Sequence, residues 1–155
     1  MKNNKELVIY LSMGFGNPYG DDYNEEILSY WTGEMVQRNI NIISLADTVG
    51  IATAKQINAA LNTLIPGYPA TTFGVHLHSN SVNWKEKLQA AIEAGCRRFD
   101  GALKGIGGCP FAMDELIGNM DSELMIAYLE EKSMINNLDK EALKESLLIA
   151  AEIFT

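Results

Sequence analysis

Two histidines, His76 and His78, are the residues of this sequence whose type and spacing point most directly to chemistry. They lie two positions apart on a predicted strand, so their side chains share one face of that strand. Imidazoles at the end of a strand are good ligands for a divalent cation, and the chain contains no other histidine. We therefore predict a divalent-metal site. The alternative is a polar pair that hydrogen-bonds to neighbouring loops.

Two imidazoles do not complete a metal site, so oxygen ligands must come from elsewhere in the chain. The candidates near a predicted strand end or helix start are Asp47, Asn80, Asp100 and Asn119. Asp47 follows a predicted strand, where a carboxylate can hold a substrate hydroxyl or orient a metal-bound water. Capping of the next helix is the alternative role of Asp47. Asp100 is expected mainly to anchor its loop.

The loop GIGGCP, residues 105–110, supplies a further reactive group, the thiol of Cys109. Its three glycines let the backbone bend sharply and approach a ligand closely. We expect Cys109 to act as a proton donor or nucleophile beside the metal. A tight turn with a buried thiol is the alternative. Lys104, just before the loop, is a candidate for contacting an anionic ligand.

The order of predicted elements is strand–helix four times, followed by one extra helix. Strands are predicted at 6–13, 41–45, 71–77 and 96–103. Helices are predicted to run from a capping segment at 21–24 to 38, from 53 to a stop at the segment PGYP (66–69), and over 84–94, 120–131 and 140–154. Strands that alternate with helices form a parallel sheet, so the loops after the strands share one edge.

The pattern is consistent with one α/β domain over residues 1–155, either a small open sheet or half of a (β/α)₈ barrel. The composition is globular, with 47% hydrophobic and 21% charged residues. A net charge of −8 argues against a nucleic-acid surface, and no run of about 18 apolar residues indicates a membrane span. Two cysteines are too few for a disulfide framework, so we expect a reducing, cytoplasmic location. Cys96 is expected in the core, and Arg97 and Arg98 at the surface.

Four segments at the predicted strand ends resemble, in this order, the hydroxymethylglutaryl-CoA lyase family. They are SLADTVG (44–50), VHLH (75–78), GIGGCPF (105–111) and Gly118-Asn119. The resemblance covers nearly the whole chain and implies the second half, strands five to eight, of a (β/α)₈ TIM barrel. The family's first-strand Asp-Arg-Glu motif does not occur in this sequence.

The resemblance also implies a role for each matching residue. His76, His78 and Asn119 would hold the divalent metal, Mg²⁺ or Mn²⁺. The catalytic residues would be Cys109, Asp47 and His76. Contacts with substrate or within the loop are implied for Thr48, Lys104, Gly105, Gly107 and Gly108.

The implied reaction is retro-Claisen cleavage of 3-hydroxy-3-methylglutaryl-CoA to acetyl-CoA and acetoacetate. The substrate partner would be a CoA thioester, and the protein partner a second copy or a second half-barrel chain. Two other functions stay open at this point. One is a non-catalytic, metal-binding half-barrel module, and the other is a related aldolase or isopropylmalate-synthase-type enzyme, against which the cysteine loop argues.

Overall fold

Four parallel strands form the sheet, in the order β1-β2-β3-β4. The computed structural model describes residues 5–108 and 117–154 of the chain. The strands are β1 (Val8–Leu11), β2 (Ile42–Ala46), β3 (Thr72–His76) and β4 (Arg98–Asp100). The register sets Ala46 beside His76, and His76 beside Asp100. The carboxyl ends of the strands therefore meet at one edge, as the strand–helix alternation predicted.

Within the described residues, five α-helices follow the strands, and their bounds lie close to the predicted ones. They are α1 (Glu25–Gln37), α2 (Ala54–Gly67), α3 (Trp84–Glu93), α4 (Ser122–Glu131) and α5 (Lys140–Ile153). A single 3₁₀ turn spans Leu103–Gly105 after β4. Across the described ranges, none of the helices combines the length and apolar character that a membrane crossing requires.

Side-chain caps fix where the helices begin. The Asn24 carboxamide oxygen accepts from the Ile27 backbone N–H, and Thr53 forms a capping box with Gln56. Asp121 caps α4 in the same way. The helix α2 ends at Gly67, inside the predicted stop at 66–69, with Pro66 in its last turn. A proline in the last turn costs one hydrogen bond but does not prevent the helix from ending one residue later.

The core lies on one face of the sheet. Side chains along β2 and β3 alternate, and the apolar set points toward the helices, where α2 and α3 pack. The fully buried members of this core include Ile43, Leu45, Val75, Ile57, Leu61 and Leu88. Cys96 is 1% exposed and belongs to the same core, as the sequence predicted.

The other face of the sheet is polar and partly open. It carries the paired residues Tyr10 and Ser44 and, two positions further along the strands, the paired residues His76 and Asp100. Tyr10 is 45% exposed there, although it lies on a strand. Arg98 lies on this face too, in an ion pair with Asp100, and not on the outer surface as predicted. In a closed barrel this face would be the interior.

Candidate metal centre

A cavity of about 370 Å³ opens at the carboxyl ends of the strands. Residues from three strand ends and from the glycine loop line it: Tyr10, Ser12, Ala46, Thr48, His76, His78, Gly108 and Asn119. Five of these are residues that the sequence singled out. The cavity thus brings together residues from the predicted strand ends and from the glycine loop.

The two histidines lie side by side in this cavity. Their ring centroids are 5.3 Å apart, with the ring planes inclined at 69°. A ring nitrogen lies about 2.0–2.1 Å from a zinc ion that it ligates, so two rings at this spacing can share one divalent cation. Partial burial lowers the pKa of the His76 imidazole, and the neighbouring His78 lowers it further. His76 is therefore held in the neutral form that binds metal.

One hydrogen bond fixes the orientation of the His78 ring. Its Nδ1 lies 3.0 Å from the Ile117 carbonyl oxygen. Because a carbonyl only accepts, Nδ1 must carry the proton, and Nε2 of the neutral ring then presents a lone pair. Metal-binding histidines commonly have one ring nitrogen fixed in this way by a backbone carbonyl.

Asn119 joins the histidines through a short stretch of antiparallel pairing. His78 and Asn119 form an isolated bridge, and the backbone bonds beside it run from Ser79 N to Gly118 O and from Met120 N to Leu77 O. The Asn119 carboxamide Nδ2 donates to the Ile106 carbonyl at 2.9 Å. Its Oδ1 is then the atom suited to a cation.

The glycines before Cys109 allow the loop to lie against Asn119. A Cβ at Gly105 would come within 3.0 Å of the Asn119 carbonyl, and one at Gly107 within 3.0 Å of the Asn119 Nδ2. Both glycines also have positive φ, of 64° and 95°. Gly108 reaches the cavity itself. Cys109 lies outside the described residues, so its predicted role stays a prediction.

The structure corrects the predicted role of Asp47. Its side chain is 1% exposed and does not line the cavity. The carboxylate instead accepts from Lys87 Nζ at 2.7 Å and from the Ala52 backbone N–H at 2.9 Å. It does not cap α2, because Thr53 is the cap. Asp47 therefore links the loop after β2 to Lys87 of α3 behind the cavity, and its carboxylate is not placed to contact a substrate.

Two other oxygen candidates are used structurally. Asp100 accepts from the Tyr10 hydroxyl at 3.0 Å, from Ser44 at 3.2 Å and from Arg98 at 3.0 Å. Asn80 accepts from the backbone N–H groups of the turn that follows it, at Val82 and Asn83. Asp100 thus joins side chains of β1, β2 and β4 on the inner face of the sheet, and these bonds do not anchor its loop as expected.

Thr48 lines the cavity as predicted, whereas Lys104 does not. The Thr48 hydroxyl accepts from the Met13 backbone N–H at 2.8 Å, which ties the end of β2 to the end of β1. Lys104 is exposed and lines a neighbouring cavity of about 310 Å³. Its backbone N–H donates to Glu123 Oε2 at 2.8 Å.

Sequence reasoning missed Tyr10 and Ser12, which form one wall of the cavity. The ring of Tyr10 stands edge-on to His76, with centroids 5.8 Å apart. Alternation along the first strand places both residues on the same face as His76. That period-two signal could have found them, but the apolar run ELVIYLSM does not show which of its faces is the open one.

The donor set fits a divalent cation in part. Among the described residues, no group of three or more His, Cys, Asp or Glu side chains converges to hold a metal. His76, His78 and Asn119 do line the same cavity, where they offer two imidazoles and one carboxamide. A six-coordinate ion would take its other ligands from water, substrate or groups beyond these residues.

The four β/α units and the cavity at the carboxyl ends of their strands have the arrangement of part of a (β/α) barrel, a fold class whose ligands bind at that end. The HMGL-like family model matches residues 6–148. The chain therefore belongs to the HMGL-like family, as the sequence motifs indicated.

Individual relatives agree with this assignment. A hydroxymethylglutaryl-CoA lyase from Bacillus subtilis is 31% identical over 142 residues, which are 92% of this chain and 47% of that protein. An (R)-citramalyl-CoA lyase from Chloroflexus aurantiacus is 32% identical over 87% of this chain and 42% of that protein. These relatives are carbon–carbon lyases. The chain spans about half of their length.

Solved structures give the same picture of the fold. The Bacillus subtilis HMG-CoA lyase superposes with a TM-score of 0.86 at 29% identity, over 98% of this chain and 51% of that one. An HMG-CoA lyase from Acinetobacter baumannii, in complex with coenzyme A and 3-methylmalate, gives 0.75 at 30% identity, over 88% of this chain and 44% of that one. The predicted half of a (β/α)₈ barrel is confirmed.

Proposed function

We propose that this chain supplies the metal-binding half of the active site of a hydroxymethylglutaryl-CoA lyase. The observation that carries the proposal is the convergence of His76, His78 and Asn119 in one cavity, which is also bordered by Gly108, the residue before Cys109. The proposed substrate is a CoA thioester with a 3-hydroxyl group, and the proposed reaction is cleavage to acetyl-CoA and acetoacetate.

The residues of the cavity have distinct tasks in this scheme. When bound, the divalent cation would polarise the substrate oxygens and so favour loss of the hydroxyl proton. His76 and His78 hold that ion through neutral nitrogens, and the Asn119 Oδ1 supplies an oxygen. Cys109, next to Gly108, would return a proton to the acetyl-CoA carbon as the carbon–carbon bond breaks. The glycines before Cys109 let its loop lie close to the cavity.

Metal binding is the first test. We expect Mn²⁺ to bind the purified chain, measured by electron paramagnetic resonance of free Mn²⁺, and binding to be lost in His76→Ala and weakened in Asn119→Ala. Asn62→Ala is the matched control, because Asn62 is an exposed asparagine on α2. Equal Mn²⁺ affinity in the wild type, His76→Ala and Asn62→Ala would contradict the metal assignment.

The substrate is the second test. We expect acetyl-CoA and acetoacetate from 3-hydroxy-3-methylglutaryl-CoA and Mg²⁺ when the barrel is complete, and loss of product in Cys109→Ser. Similarity to an (R)-citramalyl-CoA lyase gives (R)-citramalyl-CoA as the competing substrate. A higher kcat/KM for (R)-citramalyl-CoA would assign the chain to that reaction instead.

A second half-barrel is proposed to complete the site. The inner face of the sheet is open at Tyr10, and the exposed Trp31 of α1 lines a cavity together with Tyr10 and Leu11 of β1. A closed barrel would cover the inner face and leave no strand edge unpaired. Light scattering should show whether the chain pairs with a copy of itself. A monomer without lyase activity that still binds Mn²⁺ would favour the non-catalytic, metal-binding module.

A further inference from the structure

Lys87 is a buried lysine whose ammonium group is enclosed by three oxygen acceptors. Its side chain is 2% exposed, although it lies near the start of the amphipathic helix α3. Nζ donates to Asp47 Oδ2 at 2.7 Å, to the His78 carbonyl at 2.8 Å and to the Gly50 carbonyl at 3.0 Å. An ammonium has three N–H groups, so each one has its acceptor.

These acceptors lie in the two loops that carry the cavity-lining residues Thr48 and His78. Asp47 and Gly50 flank Thr48, which forms one wall after β2. The His78 carbonyl belongs to the other loop, after β3. Lys87 therefore lies behind the cavity and connects the two loops on the side that faces away from the cavity.

The His78 carbonyl has no part in the pairing that holds Asn119. That pairing uses the Leu77 carbonyl and the Ser79 N–H. The Ile117 carbonyl holds the ring of His78, and Lys87 holds its backbone. His78 is thus fixed at two points, which restricts both the position of its Cα and the direction of its ring.

We propose that Lys87 is a positioning residue that pre-organises His78 for divalent-metal binding by tying its carbonyl to the loop at Asp47 and Gly50. The proposal rests on the metal site of the proposed function and adds a residue to it that touches neither metal nor substrate. A supporting partner of a metal-binding histidine usually changes metal affinity by about 10- to 100-fold when removed.

The test compares Lys87→Met with Lys85→Met in the full chain. Lys85 is an exposed lysine on the same helix, so this control removes the same charge without touching the loops. We expect Lys87→Met to weaken Mn²⁺ binding by about 10- to 100-fold, and Lys85→Met to leave it within about twofold.

Two further variants separate positioning from general loss of stability. Asp47→Asn/Lys87→Met removes the unpaired carboxylate that could prevent Lys87→Met from folding, and it should show the same loss of Mn²⁺ affinity. Leu64→Ala opens a cavity in the core far along α2 and should destabilise the fold without changing Mn²⁺ affinity. Equal loss of affinity in Leu64→Ala and in the double variant would overturn the proposal.

A metal-free measurement tests the positioning of His78 separately from the metal assignment. Nitrogen-15 chemical shifts should show the Nδ1–H tautomer of His78 in the wild type and a mixture of tautomers in the double variant. An unchanged tautomer together with unchanged Mn²⁺ affinity would refute the positioning role. If the wild type bound no Mn²⁺ but the tautomer still depended on Lys87, the metal site would be refuted and the positioning of His78 would stand.

Discussion

The buried pair of Lys87 and Asp47 gives the sharpest prediction about stability. Its side chains are 2% and 1% exposed, and Nζ lies 2.7 Å from the carboxylate. Removing one partner of such a pair leaves a buried charge without compensation, which costs about 3–5 kcal/mol. A domain is usually stable by about 5–15 kcal/mol, so Lys87→Met should lose a large part of the stability of the fold.

The double variant Asp47→Asn/Lys87→Met should cost less than the sum of its single variants. With no charge left unpaired, we expect a coupling energy near the upper end of the range of about 0.5–3 kcal/mol seen for contacting residues. Urea unfolding followed by tryptophan fluorescence measures all four free energies of unfolding.

The surface pair of Arg38 and Glu34 is the matched control for this cycle. It has the same separation of 2.7 Å, but its side chains are 60% and 25% exposed. An exposed i,i+4 pair contributes about 0.3–0.5 kcal/mol. If the Lys87–Asp47 coupling energy were no larger than the Arg38–Glu34 value, the reasoning from burial would be refuted.

Three further predictions follow from single residues. The folded-state pKa of His76 is lowered, so the unfolded chain takes up a proton at a higher pH than the folded chain does. The free energy of unfolding should therefore fall as the pH drops below about 6.5, and it should depend less on pH in His76→Gln, as measured by urea unfolding. Burial raises the pKa of the Cys96 thiol, so in Cys109→Ser the remaining thiol should react with Ellman's reagent only after denaturation; rapid reaction of the folded protein would contradict its burial. Gly105→Ala should lower Tm, because φ at Gly105 is 64° and a Cβ there would meet the Asn119 carbonyl. A Cβ at Gly67 would have no atom within 4 Å, so Gly67→Ala should leave Tm unchanged or raise it.

Much of the fold could be predicted because local patterns agree with the tertiary structure. The apolar runs at β2 and β3 match their burial on the helix-facing side, and α2 and α5 begin after Thr53 and at Lys140, as expected. The His76–His78 pair could be predicted for the same reason, since a strand fixes which side chains share a face. These inferences need only a few neighbouring residues.

The role of Asp47 could not be predicted, because its partner is 40 positions away in the chain. A lysine in an amphipathic helix is normally exposed, and nothing near Lys87 in sequence shows that it is buried. The network around Asp100 was hidden in the same way, because Tyr10 reaches it from a strand 90 residues earlier. Sequence spacing locates groups along one strand, whereas contacts between strand ends depend on how the whole sheet is assembled.

The contacts described for the candidate metal site lie within this half-barrel. Ile117 holds the His78 ring, the glycine loop holds Asn119, and Lys87 holds the loops behind them. These contacts fix His78 and Asn119 without using the open inner face of the sheet, whereas His76 lies on that face, with its ring edge-on to Tyr10. A second half would contribute what these contacts do not provide, namely cover for the cavity and the remaining ligands of the ion. Metal affinity and catalysis should therefore be separable: the chain alone should retain part of the affinity for Mn²⁺, and turnover should require a closed barrel.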